Sequence, residues 1–297
     1  KFQNEKIGVV GVGLRGNKQE YGPEEVNFLQ SLGNLALLTI QKSLLLDERL
    51  QKQRMEEELN LAKNIQIGLL PDPLPEIDRF DLAAINISSR QVGGDYFDFI
   101  ETPEKNHLLA IADVTGKGVP ASLLMANLQS MLHALAPIDV TMSEATGSIN
   151  DIIYNNTPSD KFITFFWGII SDNGTKFKYV NAGHDPPILF RKGSDEPLLL
   201  EAGGVILGAM PTMLPYESAE IDLKPGDLIV FFTDGVTEAM SPDQTEEYET
   251  ERLKDCIRKN RDKPSQEIQD AIIADINAFS NNIQYDDITI IVLKVDE

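Results

Sequence analysis

Cysteine occurs once in this 297-residue chain, as Cys256. A single cysteine excludes an internal disulfide and a thiolate metal site. It sits in ERLKDCIRKN, a charged helical stretch that assigns it no chemistry. Histidine occurs three times, and basic residues are scarce: 26 Lys and Arg stand against 47 Asp and Glu, a net charge of −21. Nucleic-acid affinity rests on Lys and Arg neutralising phosphates, so this balance argues against such a partner. It suits simple solubility or cation binding. Long apolar runs are missing too. The longest, FITFFWGII at 162–170, is half of what a membrane span requires. The start, KFQNEKIGVV, has neither a methionine nor the apolar centre of a signal peptide. We therefore expect a cytoplasmic chain, one that begins inside a domain. What remains is 42% hydrophobic and 25% charged residues, an ordinary globular composition with room for about two domains.

IGVVGVGL at 7–14 reads as a strand, followed by the loop RGNKQEYG. Pro23 then opens a helix, with Glu24 and Glu25 where the helix dipole favours acids. No stop signal intervenes before Pro71, so one long helix or a pair covers about 23–70. Met55, Leu59, Ala62 and Leu69 recur at heptad-like spacing, with Gln66 in the intervening position. This pattern suits either a coiled-coil homodimer seam or a solvated linker. PDPLP at 71–75 marks a boundary. Beyond it, strand-like runs dominate: FDLAAINIS, VGGDYFDFI, HLLAIADV, FITFFWGII, KFKYVNAG, PILFRK, GDLIVFFTDG and DITIIVLKV. Helical stretches follow Gly118 (VPASLLMANLQSMLHAL) and come late in the chain (EEYETERLKDCIRKN and SQEIQDAIIADINAFS). Several strands are apolar on both alternations, which predicts an α+β fold with sheet packed on sheet and helices outside. GVGLRG at 11–16 matches the dinucleotide-binding glycine pattern. Six further loop residues precede Pro23 and no βαβ unit follows, so we read it as a plain loop.

Acids stand where strands should be apolar. In VGGDYFDFIETPEKNHLLAIADVTGKGVP the turn TPEKN centres on Glu104, and residues equidistant from it face each other. Asp95 then lies opposite Asp113. Like charges across a ladder are destabilising, so a partly buried pair requires a proton or a cation between them. Gly93, Gly94, Gly116 and Gly118 leave room for a ligand near the backbone. Two further strands repeat the pattern: DLIVFFTDG delivers Asp234 to a glycine turn, and QYDDITIIVLKV begins with Asp286 and Asp287. Four strand-end acids with almost no histidine point to Mg²⁺ or Mn²⁺ rather than zinc. His107 and His133 read as structural. His184, in the loop NAGHDPP, is the one histidine of interest.

VGGDYFDF, IADVTGKGVPASLLMA, VNAGHDPPILF, GDLIVFFTDGVTEA and YDDITIIVLKV, in that order, resemble the successive motifs of the SpoIIE-like branch of the metal-dependent PPM-type serine/threonine phosphatases, over about 80–297. The resemblance implies an αββα sandwich of two antiparallel sheets flanked by helices, with two Mn²⁺ or Mg²⁺ ions at one end. It implies metal ligands at Asp95, Asp113, Asp234 and Asp286, with the Val114 carbonyl supporting the site and Asp287 as the neighbour confusable with Asp286. It also implies a hydroxide, held between the ions, that attacks phosphoserine or phosphothreonine. Other branches carry a histidine after the second-motif acid, where this chain has Val114-Thr115-Gly116. The leaving-group acid is therefore water or His184. Arg90 has the spacing of a phosphate-binding arginine and equally that of a solvated one.

Residues 1–45 are similar to the last strand, loop and helix of a GAF sensor domain, 46–75 to a helical regulatory linker, and 76–297 to the phosphatase domain. The family resemblance further implies a phosphorylated STAS-type anti-anti-sigma factor as substrate. Against this stand two alternatives, a catalytically silent binding module and a hydrolase of small phosphoesters. GGVILGAMPTMLPYES at 203–218 is either a docking flap or a plain connection.

Overall fold

The computed structural model describes residues 11–13, 15–16, 19–158, 160–171 and 174–296. It contains two compact units, Lys1–Leu61 and Ala62–Glu297. The first holds most of helix α1 (Pro23–Ile67), one continuous helix rather than a pair. The Gly22 N–H donates to Glu25 Oε2 at 2.9 Å and closes its start. None of the described α1 residues is buried, so packing within this chain does not account for its apolar positions. The boundary expected at residue 45 falls inside α1. The strand expected at 7–14 lies largely outside the described residues, and 11–13 are not in a strand.

The second unit is built on two sheets. One has the strand order β1 (Phe80–Ile87), β11 (Ile288–Val295), β10 (Leu228–Phe232), β6 (Ile188–Phe190), β7 (Leu198–Leu199). The other runs β2 (Tyr96–Glu101), β3 (His107–Val114), β4 (Ile163–Ile170), β5 (Lys176–Ala182), β8 (Gly203–Gly204), with β9 (Ala219–Asp222) also on β5. All pairings are antiparallel except β5 with β8. Strand alternation sorts the side chains into layers. Phe97, Leu109, Ile111 and Phe166 from one sheet meet Ile229, Phe231, Ile291 and Leu293 from the other between the sheets. The opposite faces are covered by α2 (Val119–Leu135) and α3 (Met142–Asn156) on one side. On the other side lie α5 (Glu249–Asn260) and α6 (Ser265–Ser280). This is the αββα sandwich.

The short strands β7, β8 and β9 have no counterpart in the sequence reading, and two helices also depart from it. Helix α3 has no counterpart in it, although Thr141 and Glu144 form a capping box, with the Glu144 N–H donating to Thr141 Oγ1 at 3.2 Å. Asp234 does not sit in a glycine turn. It opens a short helix, α4 (Asp234–Thr237), whose last turn is closed by the Glu238 N–H donating to the Asp234 carbonyl at 2.7 Å. Among the described residues no helix is long and apolar enough to cross a membrane.

Candidate metal centre and active site

The β2–β3 ladder pairs Glu101 with His107 and Tyr96 with Ala112, which centres the hairpin on Glu104. Lys105, at φ 61, closes the turn through its N–H to the Thr102 carbonyl at 2.9 Å. Asp95 and Asp113 continue this register by one step, beyond the last ladder pair. They share the alternation of Phe97 and Ile111, so they lie at the end of the layer between the sheets. The opposite sheet answers with hydroxyls. Thr233, after β10, and Thr289, in β11, donate to Asp95 Oδ2 at 2.7 and 2.6 Å. Asp95 is thus buried and anchored from across the sandwich.

The two adjacent acids before β11 have separate tasks. Asp287 is saturated: Oδ1 accepts from the Ser89 N–H at 2.6 Å and the Ser89 hydroxyl at 2.8 Å, and Oδ2 from the Gly94 N–H at 2.8 Å. It secures the Gly93-Gly94 turn that delivers Asp95. Asp286 instead pairs with Lys117, whose Nζ lies 2.7 Å from Oδ2 and also donates to the Tyr285 carbonyl at 2.8 Å. Close contacts, with a side chain at Gly93 and with backbone at Gly94 and Gly235, explain three glycines. A Cβ on Gly93 would lie 2.3 Å from Asp287 Oδ2, one on Gly94 2.8 Å from the Val114 carbonyl oxygen, and one on Gly235 1.9 Å from the Asp287 carbonyl oxygen. The Val114 carbonyl therefore borders the turn that carries Asp95. From α1, the Gln66 amide clamps Gly93 on both sides, donating to its carbonyl at 2.7 Å and accepting from its N–H at 3.1 Å.

The carboxylates act on one another. Burial first, then the charge of Asp113, holds Asp95 well above the carboxylate range against its two threonine bonds. Burial and the charge of Asp286 push Asp113 up to about 6, while a hydrogen bond with Asp95 lowers it. Burial, then Asp113, Glu238 and Asp286, push Asp234 up to about 7. Glu238 and Asp185 are raised in the same neighbourhood, both chiefly by burial. Among the described residues no three acid, histidine or cysteine side chains converge tightly enough to hold an ion as they stand. The crowded all-oxygen donor set nevertheless fits hard divalent cations, which would relieve this repulsion.

His184 has a different place. It is buried, its Nε2–H donates to the Phe232 carbonyl at 3.1 Å, and Nδ1 accepts from the Thr164 hydroxyl at 2.9 Å. Burial lowers its pKa to about 4, so it is neutral near pH 7 and both ring nitrogens are engaged. The acid role considered for it does not fit this geometry. Thr115 exchanges hydrogen bonds with the Phe162 backbone, at 3.2 and 3.0 Å. Arg90 lies exposed in the turn between Ser89 and Gly93. The residues missed in the sequence were Gln66, Lys117, Asp185, Thr233, Glu238 and Thr289. Glu238 lies four residues after Asp234, as the residue that caps α4.

The family model for Stage II sporulation protein E (SpoIIE) matches residues 103–296. The chain belongs to the SpoIIE family. It is 31% identical over 245 residues to the phosphoserine phosphatase RsbU of Bacillus subtilis (strain 168), covering 82% of this chain and 71% of RsbU. Among solved structures, the SiaA-PP2C domain of Pseudomonas aeruginosa superposes with a TM-score of 0.69 at 20% identity, covering 82% of this chain and 98% of that one. RsbX in complex with magnesium gives 0.56 at 18% identity, covering 75% and 98%. These two show the fold. By class, this SpoIIE-family chain is a serine/threonine phosphatase. The SpoIIE match contains Asp113, Asp234, Asp286 and His184, while Arg90 and Asp95 precede its first residue.

Proposed function

We propose that this SpoIIE-family phosphatase dephosphorylates phosphoserine or phosphothreonine in a regulatory protein of a bacterial partner-switching pathway, a STAS-type anti-anti-sigma factor. The observation that carries the reading is the convergence of Asp95, Asp113, Asp234 and Asp286 on one end of the sandwich, where burial and mutual repulsion raise the pKa of Asp95, Asp113 and Asp234. Kinship with a phosphoserine phosphatase supports the substrate class.

Two Mn²⁺ or Mg²⁺ ions fit these acids, together with the Val114 carbonyl. When bound, they supply an acidified water and positive charge for the phosphoryl oxygens. The protein contributes the rest. Thr233 and Thr289 fix the rotamer of Asp95, and Asp287 holds the turn that presents it. Lys117 and exposed Arg90 bring positive charge to the rim, where a phosphate oxygen is attracted. His184 supports the Phe232 and Thr164 ends of two strands and takes no proton. With no histidine after Asp113, water protonates the leaving serine or threonine oxygen.

Residues 1–45 as the end of a GAF-like domain and α1 as a linker and homodimer seam complete the reading. Exposed apolar residues along α1, among them Leu38, Leu45 and Met55, support the seam. Sedimentation of the full chain as a monomer would remove it.

The test is manganese-dependent release of phosphate from a phosphoserine-bearing STAS protein. Asp113→Asn and Asp234→Asn should each lose at least about a hundredfold in kcat, the scale on which removing charge stabilisation acts. Full activity in either variant would sink the assignment.

A further inference from the structure

Beside the acids lies a cavity of about 160 Å³, bounded by α4, α6 and the segment before β11. Its back wall is isoleucine: Ile87, Ile273, Ile276 and Ile288. Its rim includes Glu238 and Asp286, which belong to the acid cluster. Two of the polar groups around the cavity are engaged elsewhere. The Gln284 amide donates to the Ile87 and Asp286 carbonyls, each at 2.8 Å. The Tyr285 hydroxyl accepts from Gln244 at 3.0 Å. Asn277 and Ser280 also line the cavity, and the isoleucines form its apolar wall.

We propose that this cavity binds one apolar or aromatic side chain of the phosphorylated protein, from a residue adjoining the phosphoserine. The inference rests on the phosphatase reading and extends it to substrate choice. An apolar cavity of about 150 Å³ accommodates a benzene ring, so the volume matches a leucine or phenylalanine side chain. The shared rim places the occupant next to whatever the acids hold. An acidic side chain is repelled by Glu238 and Asp286. A basic one finds Asp286 already paired with Lys117 and Glu238 only at the rim, so its charge does not follow the stem onto the isoleucine wall.

Phosphoserine peptides differing only at the residues flanking the phosphoserine, as Leu, Phe, Ala, Lys or Glu, test this on the full chain with Mn²⁺. Leu and Phe should exceed Ala in kcat/KM by about tenfold or more, the discrimination typical of an apolar pocket, with Glu the poorest. Ile273→Phe, which fills the cavity, should bring the Leu-to-Ala ratio towards one. Ile283→Ser, at an exposed rim position, should lower the same ratio and serves if the first variant melts early. Equal rates for all five peptides, or a preference for Lys, overturn the cavity's role and leave the phosphatase reading standing. Hydrolysis of none of them, with the STAS protein also untouched, overturns both.

Discussion

Asp286 and Asp287 are adjacent in sequence and opposite in use. Asp287 spends both oxygens on three donors, whereas Asp286 meets a single side-chain cation, Lys117 at 2.7 Å. In the proposed centre, a divalent ion bound through Asp286 Oδ2 would displace that ammonium, so Lys117 would raise the metal concentration needed. Both partners are about one-third exposed, which keeps the effect modest. Lys117→Met should therefore tighten Mn²⁺ binding several-fold by calorimetry at low salt, and less so as salt rises. Weaker or unchanged binding would show that Lys117 does not compete. The Asp95–Asp113 pairing could be read from the hairpin because turn and strands are local. The donors to Asp95 could not, since Thr233 and Thr289 lie 138 and 194 residues away in sequence.

At the scale of elements, the last turn of α1 reaches the turn before Asp95. Its Gln66 amide makes two hydrogen bonds to Gly93, two residues before Asp95. Heptad spacing marked Gln66 as the polar member of an apolar stripe and gave no hint of its partner, which lies 27 residues on. Gln66→Leu keeps the helix former and removes both bonds, each worth about 1 kcal/mol net. It leaves the buried Gly93 N–H and carbonyl without this partner. We expect a several-fold loss in kcat and in Mn²⁺ affinity with the fold intact by circular dichroism; unchanged values would reduce Gln66 to packing. The loop at 205–215 shows a related limit. Asn150 and Asp151 of α3 tie it down at Met210 and Thr212, yet Met213 and Leu214 stay about 80% exposed. Alternation within 203–218 could not distinguish a tethered loop from a free flap, because the tether comes from α3.

Over the whole molecule the acids make metal-free stability depend on pH. Asp113 and Asp234 start from 3.8 in the unfolded chain and rise to about 6 and about 7 in the fold. Between these values the native state holds more protons than the unfolded one, so stability falls as pH rises from about 4 through about 7. In chelator, the melting temperature should be lower at about pH 8 than at about pH 5, and Mn²⁺ should raise it most at the higher pH, because it binds only the folded form. A flat profile in chelator would contradict the burial of these carboxylates. The sequence by itself determined the strands β1 to β6, β10 and β11, the helices α2, α5 and α6, and which acids lie at strand ends. Hydrophobic periodicity and turn chemistry are local and need no tertiary partner. Only the tertiary structure decided that Asp287 is spent on Ser89 and Gly94, that His184 is a neutral strut, and that an isoleucine-lined cavity opens beside Asp286. Each depends on atoms brought together from distant strands, and burial and hydrogen-bond saturation exist only after the two sheets close on one another.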